Sequence, residues 1–143
     1  MKIAVAGVGY VGLVTAVTLA DVGHDVICLD VDKGKLKMLA EGISPIYEYG
    51  LEELMLKNRE RLEFTDDVTK YSEAQVIIIG VGTPEKEDGS ADLSAVFSVA
   101  DSIADNCSDG TVVVVKSTVP IGTCESVRRR IGERRPDLHF FVV

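Results

Sequence analysis

The chain opens on an apolar run, Met1-Lys2-Ile3-Ala4-Val5-Ala6, that passes straight into Gly7-Val8-Gly9-Tyr10-Val11-Gly12. Glycines at this spacing constrain a fold only in the right setting, and here the setting is complete. The first run reads as a buried strand, Tyr10 to Val22 as an apolar helix, and Asp25 to Asp30 (DVICLD) as a second strand ending in an acid. Asp30 lies 18 residues after Gly12, close to the offset of about 20 seen in dinucleotide-binding βαβ units. Each residue then has a physical task. Gly7 permits the tight turn off the strand, Gly9 leaves the backbone open to a pyrophosphate, and Gly12 lets the helix pack closely on the sheet. The helix N-terminus offers unpaired N–H groups and the positive end of its dipole to the phosphates. Asp30 can accept hydrogen bonds from both hydroxyls of an adenine ribose. Its charge repels a 2′-phosphate, so NAD is expected rather than NADP.

Strands and helices alternate along the rest of the chain. Strands are expected at residues 1–6, 25–30, 61–65, 75–80, 111–115 and 138–143. Helices are expected at 10–22, 32–41, 51–59 and 66–72, then from Asp92 to about 106, and from the segment 117–122 to about Arg135. Asp66 and Asp92 are the expected caps of two of them. This order predicts a single α/β domain over residues 1–143. It is a Rossmann-type doubly wound parallel sheet of about six strands, with helices on both faces and right-handed crossovers. Ligand is then expected beyond the carboxyl ends of strands one, two, four and five.

Two more loops fall on that edge: Val81-Gly82-Thr83-Pro84 after strand four, and Lys116-Ser117-Thr118-Val119-Pro120-Ile121-Gly122-Thr123 after strand five. Both place small hydroxyl residues where a dinucleotide would pass. Both also suit helix starts, with Ser117 or Thr118 as cap and Pro120 in the first turn.

Composition narrows the function classes. A net charge of −8 argues against sequence-independent nucleic-acid binding, which needs a basic face. The basic cluster Arg128-Arg129-Arg130 with Arg134-Arg135 sits among Glu125 and Glu133 and reads as a solvated helix face. No apolar run reaches the roughly 18 residues of a membrane span, and no secretory signal pattern opens the chain. Cys28, Cys107 and Cys124 have no metal-ligand spacing; an odd count suggests reduced thiols and a cytoplasmic location. No metal is expected. His24 and His139 stand alone, without the neighbours of a general base.

The segments MKIAVAGVGYVG, LDVDKGK, GISPIYEYGLEELM, VGTPEKEDGSADLSAV and VKSTVPIGT, in this order, resemble the UDP-glucose/GDP-mannose dehydrogenase family, most of all its UDP-glucose branch. The resemblance covers that family's N-terminal cofactor domain. It implies oxidation of a sugar C6 alcohol to a carboxylate with two NAD reduced in turn. Carried over by position, Gly7, Val8, Gly9, Tyr10, Val11 and Gly12 would hold the pyrophosphate. Asp30 and Lys35 would meet the adenine ribose, while Val81, Thr83 and Pro84 would line the path to the nicotinamide. Ser117 and Thr118 would lie beside that ring, with Thr118 helping to place a catalytic water. Glu48 would face the substrate side, in a segment where Tyr49 stands in place of the family's usual proline. The family's nucleophilic cysteine, its Lys, Asn and Glu partners, the central helix and the substrate domain would all follow Val143. None of the three cysteines here matches the nucleophile's motif. The chain is therefore expected to bind NAD without turning over UDP-glucose alone, and to be a monomer where the whole enzyme is a homodimer. Two alternatives fit the same opening motif: a cofactor domain of another β-hydroxyacid-type dehydrogenase, and a non-catalytic NAD-sensing module.

Overall fold

A computed structural model describes all residues, 1–143. Six strands form one sheet: β1 (Lys2–Ala6), β2 (Asp25–Leu29), β3 (Leu62–Thr65), β4 (Val76–Ile79), β5 (Thr111–Val115) and β6 (Phe140–Val142). Their order is β3-β2-β1-β4-β5-β6, and every pairing is parallel. The chain steps outward from β1 to β3, then crosses back to β4 on the other side of β1. That reversal leaves a crevice beyond the carboxyl ends of β1 and β4, where open α/β sheets take their ligands. The connections run through α1 (Tyr10–Asp21), α2 (Lys33–Ala40), α3 (Leu51–Lys57), α4 (Ser94–Asn106) and α5 (Thr123–Arg134), with short 3-10 helices at Arg59–Arg61 and Val68–Glu73.

The sheet separates two apolar cores because successive strand residues point to opposite faces. Ile3, Val5, Val26, Cys28 and Ile78 pack with Leu13, Val17 and Met55 on one side. Ala4, Ala6, Ile27, Leu29, Ile77 and Ile79 pack with Val96, Ile103, Val127 and Ile131 on the other. Covering both faces is what makes these strands continuous apolar runs in the sequence. Cys28 lies wholly inside, and burial pushes its thiol up to about 12.

Two expected helix starts move. The helix placed at 66–72 is the 3-10 helix Val68–Glu73, and its cap is Asp67, which accepts from the Thr69 N–H at 3.0 Å. Asp66 turns away and pairs with Lys33 at 3.1 Å. The helix after β5 begins only at Thr123, behind Gly122 at φ +89°. Neither Ser117 nor Thr118 caps it, and Pro120 precedes it, its carbonyl accepting from the Thr123 hydroxyl at 2.7 Å. Asp92 is not the N-cap of α4 either: that is Leu93, which has no side-chain cap bond, and Asp92 one residue earlier accepts from the Ser94 N–H at 2.9 Å.

The basic run on α5 is a ladder of ion pairs. Arg130 grips Asp101 through two bonds of 2.6 and 2.8 Å, and Arg134 grips Asp105 through two of 2.5 and 2.7 Å. The Arg130 guanidinium also lies over the Phe97 ring, 5.5 Å from its centre. These pairs are one turn apart on α4 and α5, so they fix the register of the two helices. No helix is long and apolar enough to cross a membrane.

Candidate functional site

β1 ends at Ala6, and Gly7 turns the chain with φ +95°. Two main-chain groups fasten this turn to β2. The Gly7 N–H donates to the Leu29 carbonyl at 2.7 Å, and the Val8 N–H donates to Asp30 Oδ2 at 2.8 Å. Asp30 Oδ1 accepts from the Asp32 N–H at 2.9 Å. Each carboxylate oxygen keeps a further acceptor position. Gly7 and Val8 thus serve the loop by shape, since their N–H groups are already engaged. The next four N–H groups, of Gly9, Tyr10, Val11 and Gly12, find no acceptor within the protein. They stand at the N-terminus of α1, where an anion is the complementary partner.

Three glycines bring backbones into contact. A Cβ on Gly12 would lie 1.8 Å from the Gly7 carbonyl oxygen, and one on Gly7 would lie 2.9 Å from the Gly80 oxygen. One on Gly80 would lie 3.1 Å from the Gly12 Cα. The first turn of α1 and the ends of β1 and β4 are therefore packed main chain on main chain. Gly80 was not singled out in the sequence, although it ends strand four as Gly7 follows strand one. Gly9 is different. A Cβ there would meet nothing within 4 Å, and its φ of −74° and ψ of −169° are open to any residue. Nothing inside the protein requires glycine at position 9. What glycine leaves there is open space at the N-terminus of α1, next to N–H groups without a partner, and an anion is the group that suits such a place.

Beside this turn lies a cleft of about 430 Å³. Leu29, Asp30 and Val31 from the end of β2 form one wall, and Val81 follows β4. Tyr71 rises from the 3-10 helix, and Ser98 and Ser102 come from α4. Sequence reasoning named Gly7, Asp30 and Val81 but missed Val31, Val68, Tyr71 and the α4 serines. The serines had a legible signal: Ser94, Ser98 and Ser102 recur every four residues, along one helix face. Val68 and Tyr71 share a side only because the segment is a 3-10 helix, where positions three apart eclipse.

The loops after β4 and β5 meet next to the turn. The Ser117 hydroxyl donates to the Val81 carbonyl at 2.7 Å, and the Thr83 hydroxyl donates to the Thr118 carbonyl at 2.8 Å. Pro84 closes its loop by accepting from the Asp92 N–H at 2.7 Å. So Val81, Thr83, Pro84, Ser117 and Thr118 form one linked group. Lys35 stands apart on the first turn of α2 and is not a wall of the cleft; its N–H donates to the Asp32 cap at 3.1 Å. Glu48 accepts from the Tyr10 hydroxyl, so its loop is tethered over the start of α1. Its neighbours Tyr47 and Tyr49 are almost fully exposed.

The description "UDP-glucose/GDP-mannose dehydrogenase family, NAD binding domain" belongs to a family profile that matches residues 1–143. A UDP-glucose 6-dehydrogenase of Rhizobium meliloti (strain 1021) is 50% identical over 147 residues, covering 100% of this chain and 34% of that protein. Among solved structures, a UDP-glucose dehydrogenase from Pyrobaculum islandicum superposes with TM-score 0.90 at 38% identity, over 99% of this chain and 34% of that one. A GDP-mannose dehydrogenase from Pseudomonas aeruginosa superposes with TM-score 0.91 at 36% identity, over 99% of this chain and 35% of that one. The chain spans about a third of the length of these relatives. A profile match over every residue, on a sheet of the expected order with the glycine turn and the acid in register, sets aside a β-hydroxyacid-type relative: the chain belongs to the UDP-glucose/GDP-mannose dehydrogenase family and is its NAD-binding domain.

Proposed function

We propose that the domain binds NAD across the carboxyl edge of the sheet. The diphosphate lies on the N–H groups of Gly9, Tyr10, Val11 and Gly12. The adenine ribose meets Asp30, with Lys35 nearby. The base enters the cleft beside Val31 and Val81, and the nicotinamide points along Thr83 and Pro84 toward Ser117 and Thr118. The observation that carries this reading is Gly9, whose missing side chain serves no protein contact, at the head of a helix whose first N–H groups find no acceptor in the protein. When bound, NAD supplies a hydride acceptor. The chain's own residues hold it in register, and Asp30 disfavours the 2′-phosphate of NADP by charge.

In the whole protein this domain serves a nucleotide-sugar dehydrogenase. Its substrate is UDP-glucose, whose C6 alcohol becomes a carboxylate. Two hydrides leave in turn, water supplies the second oxygen, and Thr118 helps to place that water. The nucleophilic cysteine belongs to the remainder of the polypeptide, together with a central helix and a substrate domain, and that remainder makes the homodimer. The choice of UDP-glucose rests on the 50% identity to the Rhizobium relative. The shape of the domain does not choose the sugar, since relatives named for UDP-glucose and for GDP-mannose superpose equally well, at TM-scores of 0.90 and 0.91.

The test has two parts. Calorimetry on residues 1–143 should show NAD binding preferred over NADP, without NADH production from UDP-glucose. The full-length protein should yield two NADH per UDP-glucose and little with GDP-mannose. Absent NAD binding would end the first proposal, and faster turnover of GDP-mannose would end the second. An NAD sensor would bind the cofactor in both forms and reduce it in neither.

A further inference from the structure

One buried side chain of the cleft carries a polar group without a partner. Tyr71 is 2% exposed and packs in the core beneath β1 and β2 with Ala6, Leu29 and Ala74. Its hydroxyl makes no hydrogen bond to the protein, yet no sealed side-chain oxygen or nitrogen in this protein lacks a partner. The hydroxyl is therefore not sealed. Tyr71 forms part of the cleft wall together with Asp30 and Val31, and the Asp30 carboxylate acts on the phenol, which puts the hydroxyl on the cleft side. A buried tyrosine ordinarily finds a partner for its hydroxyl. Leaving a polar group unpaired at the floor of a largely apolar cleft is unfavourable unless something else completes it. A phenylalanine would pack the same core without that cost.

From this geometry we infer that the Tyr71 hydroxyl hydrogen-bonds the adenosine half of the bound dinucleotide, making Tyr71 an additional binding residue of the cofactor cleft. The inference rests on the reading that NAD occupies this cleft. Asp30 is at the ribose end of the same cleft, so a ligand held there lies within reach of both groups. Burial, and to a lesser extent the Asp30 carboxylate, push the phenol well above the ordinary tyrosine range. The hydroxyl therefore keeps its proton at neutral pH and can donate.

Tyr71→Phe removes only the oxygen and keeps the ring in its core. Calorimetry with NAD and with ADP-ribose, which lacks the nicotinamide, separates the two halves of the ligand. The expected result is a loss of about threefold to tenfold in affinity, the worth of one neutral hydrogen bond. The loss should be the same for both ligands, with the melting temperature of the free domain unchanged or higher, since Phe removes an unpaired polar group. Equal binding by the variant and the parent overturns the assignment alone, as does a loss for NAD that ADP-ribose does not share. Failure of the parent itself to bind either ligand overturns the cofactor reading and the assignment with it.

Discussion

Gly9→Ala and Gly12→Ala add the same methyl group three residues apart, and the structure demands opposite outcomes. At position 12 the new Cβ would lie 1.8 Å from the Gly7 carbonyl oxygen and 2.9 Å from its carbon. Both are backbone atoms, so α1 must shift off the end of β1. Overpacking of this kind costs about 3 kcal/mol or more. The better helix propensity of alanine returns about 1 kcal/mol. The net loss of about 2 kcal/mol lowers Tm by about 4–8 °C in a domain of this size. At position 9 the Cβ meets no protein atom within 4 Å, and the backbone is already extended. The reduced freedom of the unfolded chain stabilises by about 0.4–1 kcal/mol, and a poorer N-cap cancels most of this. Tm should stay within about 3 °C of the parent. NAD binding should nonetheless fall at least tenfold, because the methyl occupies the space before the free N–H groups, and one charge-assisted hydrogen bond contributes about 1.5–3 kcal/mol. Thermal melting and calorimetry on both variants decide the matter. A Gly9→Ala domain that binds NAD like the parent removes the diphosphate from this turn. One that melts as low as Gly12→Ala makes the glycine structural.

Asp30→Ala should weaken NAD by tenfold or more and narrow the preference over NADP, measured by titrating both; an unchanged preference takes Asp30 out of the ribose site. Hydrogen bonds and partners hold the carboxyls of Asp67, Asp101 and Asp109 below their ordinary range. Groups shifted this way stabilise the fold above their unfolded value near pH 4 and lose that contribution as pH falls through the folded value. Urea midpoints should be level between about pH 8 and 5 and decline below about pH 4; a rise on acidification would contradict the ion-pair assignments. Cys28 and Cys107 are buried, and burial raises both thiols. Iodoacetamide should therefore modify Cys124 alone in the native domain and all three in denaturant, as read by mass spectrometry. Replacing Arg130 and Arg134 by Met together should lower Tm in dilute buffer and less so in molar salt.

The glycine turn, the acid after β2 and the six-strand alternation were legible because each depends on neighbours in sequence. Apolar continuity marked the strands, and small residues marked the turn. What stayed hidden depends on partners far along the chain. Gly80 matters through Gly12, and Tyr71 through the cleft between β2 and α4. The late start of α5 is hidden for a related reason. Ser117 has the chemistry of a cap, but its hydroxyl is drawn sideways to the carbonyls of Ile79, the last residue of β4, and Val81 in the loop after it. The same competition between adjacent aspartates moved the 3-10 helix cap from Asp66 to Asp67. Local rules identify residue types suited to a task, and tertiary contacts choose among them.

Asp30 joins the two levels. One of its oxygens holds the Val8 N–H, and the other holds the Asp32 N–H at the entry to α2. The carboxylate proposed to meet the ribose also fixes the turn proposed to hold the diphosphate, so the two proposed subsites cannot move independently. The contacts among Gly7, Gly12 and Gly80 add a second constraint, because main chain packed on main chain has no rotamers with which to relax. On the proposed reading, a ligand arriving at this edge meets a turn already held in place and loses little free energy in ordering it, the condition under which a short loop can bind a diphosphate well. Asp30→Asn separates the roles. The amide's oxygen can still accept from one N–H, but it brings no charge to the ribose. Asp30→Ala, which removes both N–H bonds, should also lower the melting temperature; if Asp30→Asn restores it without restoring NADP exclusion, the clamp and the selectivity are distinct functions of one side chain. If neither returns, charge is needed for both.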